Sequence, residues 1–191
     1  MGLSGIPWWT SDIGGFRGGD PASSDFQQLI VRWFQFGAFC PIFRLHGHRL
    51  PNTGDFNGAA NEVWSFGESA YQIIKKYMLL RERLRPYIMA QMTLASKTGI
   101  PPMRPLFVDF STDPVCYQLE DEYLFGSDLL VAPVLDPDTN KRNVYLPADT
   151  TWRDAWTGQI YAGCQWISVE APLDRIPLFL RGDSSLPIRE S

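Results

Sequence analysis

The stretch IPWWTSDIGGF, Ile6–Phe16, decides the fold. It runs apolar and aromatic, sets one carboxylate, Asp12, near its end, and then turns on Gly14 and Gly15. That is how a buried strand looks when it delivers a polar side chain to a pocket. Glycines let the backbone turn tightly and approach a ligand closely, and in a parallel α/β fold the polar residues at strand C-terminal ends face the site. A strand needs a neighbour, and the next sixty residues supply one. GGDPASSDFQQLIVRWFQFGAF predicts a loop feeding a helix, with Ser24 as N-cap and Gln27 at capping-box spacing. Phe26, Leu29, Ile30, Trp33, Phe34 and Gly37 recur at helical intervals, so one face is buried. CPIFRLHG, Cys40–Gly47, then reads as a second strand ending in Arg44, His46 and Gly47. Strand, helix, strand with a polar tip on each strand is the βαβ pattern.

Leu50 to Ala60 reads as a Gly/Asn/Pro-rich loop of functional length. Glu68 to Thr98 predicts one long amphipathic helix with Ile73, Ile74, Tyr77, Leu84, Tyr87, Ile88 and Met92 inward. Pro86 kinks or divides it, because proline lacks the amide donor and crowds the preceding turn; Gly99 and Pro101 end it. Beyond Pro102 the pattern changes to short β-type runs, LFVDF, LLVAPV, RNVYLP, WRDAW, QWISVE and IPLFLR, separated by turn residues that include TGQIYAG. These predict an antiparallel β-sandwich over 102–191, following an α/β part over 1–101.

Composition narrows the chemistry. The 191 residues are 45% hydrophobic and carry a net charge of -4 without any Lys/Arg cluster, which argues against a nucleic-acid or anionic-membrane partner and for a neutral or small ligand. Cys40, Cys116 and Cys164 are odd in number and widely spaced, so they read as packing residues, not as a disulfide framework or metal site. The most apolar run, Leu29–Phe43, is broken by Arg32 and Gln35, and no basic region precedes an apolar core at the N-terminus. The expectation is a soluble, cytoplasmic product with neither signal peptide nor membrane span. P-loop, dinucleotide, nucleophile-elbow, zincin and EF-hand patterns are absent, and no cofactor or metal is expected.

Asp12 either faces a ligand or caps its own turn through backbone amides, a habit of aspartate. Arg44 and His46 stand two apart on one strand and therefore point to one side, where they share a pocket or simply a structural hydrogen-bond network. The seven tryptophans suggest sugar stacking, but Trp33, Trp64, Trp152, Trp156 and Trp166 occupy amphipathic or strand-like runs and read mostly as core.

Taken together, GLSGIPWWTSDIGGF, VRWFQFGAFCPIFRLHGHR, NEVWSFGE, LRERLRPYI, GIPPMRPLFVDF, FGSDLLVAPV and IPLFLRG resemble, in order and over essentially the whole chain, glycoside hydrolase family 31, the α-glucosidases and α-xylosidases. The resemblance implies the last two βα units of a (β/α)8 barrel, strands seven (Ile6–Asp12) and eight (Pro41–His46), followed by the proximal C-terminal β-sandwich. It implies a retaining, exo-acting α-glycosidase whose two catalytic aspartates lie on earlier strands, so that no residue here is catalytic and the isolated chain is inactive. Asp12, in DIGGF, and His46, in RLHG, are implied to bond sugar hydroxyls, with Phe16 closing the pocket against the ring and Arg44 in support. The implied partners are an oligosaccharide or glycoside substrate and the preceding barrel segment. RLHGHR and NEVWSFGE incline the reading towards xylosides. Cys164 stands where the family has glycine. A non-catalytic carbohydrate-binding β-sandwich module is the alternative.

Overall fold

The computed structural model describes residues 1–52 and 58–189, so residues 53–57 of the expected loop lie outside the description. The opening stretch is not the continuous strand its sequence predicts. A short 3-10 turn, Gly2–Ser4, is followed by extended chain that pairs in parallel with 42–48 through isolated bridges, Ile13 with Leu45 and Arg17 with His48. Ile42 N–H donates to Trp9 C=O (3.1 Å) and Ile13 N–H to Arg44 C=O (3.2 Å), which is the register of one parallel ladder. The bonds that Ser11 would complete between them are not made among the described residues. Beyond Ile13 a turn closed by Gly15 N–H on Asp12 C=O (2.8 Å) adds a residue, so the second bridge is offset by one from the first. A parallel strand is normally held by neighbours on both sides; with one neighbour and a glycine turn, two isolated bridges are the pairing of these segments among the described residues.

Helix α1, Ser24–Gly37, joins them and buries Phe26, Ile30, Val31, Phe34 and Gln35. Its N-cap is Ser23, one residue earlier than the capping-box pattern predicts, and the Gln27 side chain bonds Pro21 C=O (2.8 Å) instead of closing a box. Leu29, expected inside, is 48% exposed. The long helix is two: α2, Glu68–Arg83, and α3, Arg85–Thr98. The break falls at Leu84, which puts Pro86 in the first turn of α3, where its missing N–H costs nothing. Gly99, at φ 78°, caps α3 by donating to Ala95 C=O.

Among the described residues eight strands follow: β1 Met103–Arg104, β2 Tyr123–Phe125, β3 Leu129–Val131, β4 Lys141–Leu146, β5 Thr151–Asp154, β6 Ile160–Ala162, β7 Gln165–Glu170 and β8 Leu178–Arg181. They form a six-stranded antiparallel sheet, β1-β2-β3-β8-β5-β6, and a two-stranded one, β4-β7. LFVDF, expected as a strand, is a 3-10 turn at Leu106–Val108; Phe110 N–H bonds Leu106 C=O (2.9 Å), so Leu106 and Phe110 enter the core on helical spacing instead of alternating. QIYAG, expected as a turn, holds β6. WRDAW ends as a strand at Asp154, whose carboxylate accepts the N–H groups of Trp156 and Thr157.

The large sheet is buried on both faces. Tyr123, Phe125, Leu129, Val131, Leu178 and Leu180 pack on α2 and α3 in one cluster with Tyr77, Leu80, Leu84 and Ile88. Leu124, Leu130 and Phe179 point the other way and meet Val144, Leu146 and Trp152 between the sheets. A third cluster, around Ile13, Ile30, Phe34, Phe66 and Ile74, seats the parallel pair on α1 and α2. Cys40 and Cys116 are buried packing residues with thiols pushed up to about 12 by burial, whereas Cys164 is exposed. Trp152 is core, but Trp8, Trp64 and Trp166 are more than half exposed, against the mostly-core expectation.

Candidate functional site

The bridge between Ile13 and Leu45 fixes which side chains share a face. Ile13 is fully buried and Leu45 packs on the same α1–α2 cluster. Side chains alternate along a strand, so Asp12, Arg44 and His46 turn to the opposite face, at the carboxyl ends of the two parallel segments. There Arg44 Nη2 forms an ion pair with Asp12 Oδ1, the Asp12 side chain being 21% exposed and that of Arg44 56%. Two residues on, the Phe16 and His46 rings stand 5.6 Å apart, tilted by 34°. Phe16 is 59% exposed and His46 is exposed too, so both present surface to an incoming ligand.

Asp12, Phe16 and His46 are thus gathered at one end of the parallel pair, and Arg44 braces Asp12 across the strands instead of sharing a network with His46. The ensemble offers a carboxylate acceptor, an imidazole that can donate or accept, and an apolar ring face, a set suited to a neutral polyol. Asp12 faces a guanidinium, not a second carboxyl group, whereas retaining glycoside hydrolysis takes two carboxyl groups about 5 Å apart.

Beneath this face lies Arg49, fully buried. Its Nη1 donates to the carbonyls of Gly14 (2.9 Å), Gly15 (2.9 Å) and Gly18 (3.0 Å), and its Nη2 to those of Ile13 (3.1 Å) and His46 (3.2 Å). Nε donates to Asn61 Oδ1 (2.7 Å), and Asn61 Nδ2 donates to Gly47 C=O (3.1 Å). Burial pulls the guanidinium below its ordinary value, and the Asp12 charge partly restores it. Neither Arg49 nor Asn61 is among the candidate residues that the sequence singles out. The one signal was indirect: glycines at 14, 15, 18 and 47 leave backbone carbonyls that need a donor, and arginine carries five N–H groups in one plane.

A parallel pair covered by helices, with polar groups at its carboxyl ends and a two-sheet antiparallel domain behind it, defines the end of an α/β barrel joined to a β domain. Family comparison agrees for both parts: residues 1–91 match the glycosyl hydrolases family 31 TIM-barrel domain and residues 99–186 the glycosyl hydrolase family 31 C-terminal domain. The chain belongs to glycoside hydrolase family 31. It is 39% identical over 186 residues to the α-xylosidase of Saccharolobus solfataricus, covering 97% of this chain and 24% of that protein. It is 37% identical over 191 residues to α-glucosidase 2 of Bacillus thermoamyloliquefaciens, covering 98% and 22%. Among solved structures, a family 31 α-xylosidase from a soil metagenome, complexed with xylose, superposes with a TM-score of 0.94 at 49% identity, covering 97% of this chain and 29% of that one. The chain therefore spans about a quarter of the length of these relatives. Among the described residues, no helix is long and apolar enough to cross a membrane.

Proposed function

We propose that this chain forms the sugar-facing wall of a retaining α-glycosidase that acts on terminal α-linked sugars, α-xylosides or α-glucosides. Asp12 and His46 bond sugar hydroxyls and Phe16 packs against the ring. The observation that carries the reading is the gathering of these three side chains at the carboxyl ends of the parallel pair in a family 31 chain. The division between barrel part and β domain falls near residue 101.

Both catalytic aspartates belong, in this proposal, to a preceding barrel segment that also covers the open side of the pair. Two features support such a partner. The chain covers only 22–29% of the relatives named above. A cavity of about 770 Å³ lies between α1 and the 133–138 connection, lined by Ser11, Trp33 and the exposed Leu29 and Leu135. Exposed apolar surface of this kind marks an interaction site.

The test pairs turnover with binding. The isolated chain is expected to release no nitrophenol from aryl α-xylosides or α-glucosides, yet to bind xylose or glucose saturably. His46→Ala is expected to weaken that binding about tenfold, the loss of one hydrogen bond of about 1 kcal/mol or slightly more. Turnover abolished by Asp12→Asn would place catalysis in this chain and overturn the proposal. Binding indifferent to both His46→Ala and Asp12→Ala would remove the assigned site.

A further inference from the structure

We propose that Arg49 is the positioning residue of this wall: a guanidinium that never touches the ligand but sets where Asp12, Phe16 and His46 stand relative to one another. Its consequence for sugar binding depends on the reading above; its consequence for geometry does not.

The need arises from the backbone. Phe16 and His46 lie where the parallel register slips by one residue, between the bridges Ile13–Leu45 and Arg17–His48. Across that gap a regular ladder does not run, and among the described residues the backbone ties Phe16 alone, through its C=O to His48 N–H (3.0 Å). Arg49 spans it instead, holding the carbonyls of Ile13, Gly14, Gly15 and Gly18 on one segment and that of His46 on the other. These acceptors follow Asp12 directly, bracket Phe16, and include His46 itself.

The surroundings are shaped to this fork. A Cβ on Gly14 would stand 2.7 Å from Nη2 and one on Gly47 2.9 Å from it, and Gly47 would also meet Gly15 C=O at 2.3 Å. Glycine at both positions makes room for the guanidinium as well as for the turn. Asn61 fixes the plane of the fork by accepting from Nε while holding Gly47 C=O with its own amide. Lysine, a point donor with three N–H groups, cannot serve carbonyls spread over two segments.

Arg49→Lys and Asn61→Ala in the 191-residue chain test the assignment. With two histidines in the sequence, the His46 imidazole is readily assigned by NMR. Below the melting temperature, Arg49→Lys is expected to abolish the nuclear Overhauser contact between the Phe16 and His46 rings and to weaken xylose binding about tenfold. Asn61→Ala is expected to weaken both in part, with affinity down about threefold. A residue that contributes only stability would lower the melting temperature and leave ring contact and affinity unchanged; that result overturns the proposal. Should Arg49→Lys fail to fold, Asn61→Ala, which keeps Arg49, decides by the same two readouts. Should the parent chain bind no xylose, the sugar-binding reading falls while the ring contact still decides the role of Arg49.

Discussion

Cys164 sits at φ 60°, a left-handed conformation that costs a residue with a Cβ about 1 kcal/mol and glycine almost nothing. Its side chain is exposed, and its polar contact among the described residues is with the Tyr145 hydroxyl oxygen at 3.8 Å, whose single proton goes to Asp113 Oδ2 at 2.9 Å. Little is lost with the sulfur, so Cys164→Gly should raise the free energy of unfolding by about 1 kcal/mol, read from denaturant titration. Glu122 makes a second prediction at this scale. Its carboxyl is buried and accepts the Tyr145 N–H at 3.0 Å, and burial pushes it up to about 8 against the opposing pull of that bond and of Arg142. Between 4.5 and about 8 the folded state holds a proton that the unfolded state has lost, so stability is fully present below that window and falls as pH rises through it. Glu122→Gln keeps an acceptor for Tyr145 and removes the titration; melting temperatures across this range should then lose that part of their decline. An unchanged pH slope would show that Glu122 does not titrate there.

At the scale of elements, Pro86 separates two accounts of one sequence. In the interior of a single long helix a proline costs about 3 kcal/mol, and Pro86→Ala would recover it. In the first turn of α3, behind the break at Leu84, the same replacement should change stability by less than about 1 kcal/mol, as measured by chemical denaturation. The helices were legible because their apolar spacing, their proline and their closing glycine act locally. The central strands β3 and β8 were legible as unbroken apolar runs, since residues facing α2 and α3 alternate with residues facing the second sheet. LFVDF misled because Pro105 and the inward spacing of Leu106 and Phe110 favour a tight turn over a ladder that the composition alone would allow. QIYAG misled in the opposite direction: Ile160 is 68% exposed and Tyr161 only partly buried against Phe179, so β6 has no fully buried side chain to announce it. The grouping of Asp12, Phe16 and His46 was legible from DIGGF and RLHG, whose side chains the parallel pair brings to one end. Arg49 was not, because its partners are backbone carbonyls, at which the sequence hints only through the glycines around them.

For the whole molecule, the large sheet makes the two halves interdependent. Tyr123, Phe125, Leu129, Val131, Leu178 and Leu180 are buried against α2 and α3, and each such side chain is worth roughly 1.5–3 kcal/mol of burial. Six of them approach or exceed the 5–15 kcal/mol by which a domain is typically stable. Polar hooks cross the same seam: Tyr77 donates to Asp174 C=O (3.1 Å), Tyr87 to Phe125 C=O (2.8 Å), and Arg32 on α1 holds the carbonyls of Ala171 (2.7 Å) and Arg175 (2.8 Å). A β-sandwich cut at residue 102 would keep its inner core and expose its outer one. Residues 102–191 alone should therefore show no cooperative thermal transition by circular dichroism and should aggregate, whereas residues 62–191, which keep both helices, should unfold cooperatively. A sharp transition in the shorter piece, close to that of the full chain, would mean that the inner core suffices. It would also restore a self-standing β-sandwich as a carbohydrate-binding unit, which the packing of α2 and α3 argues against.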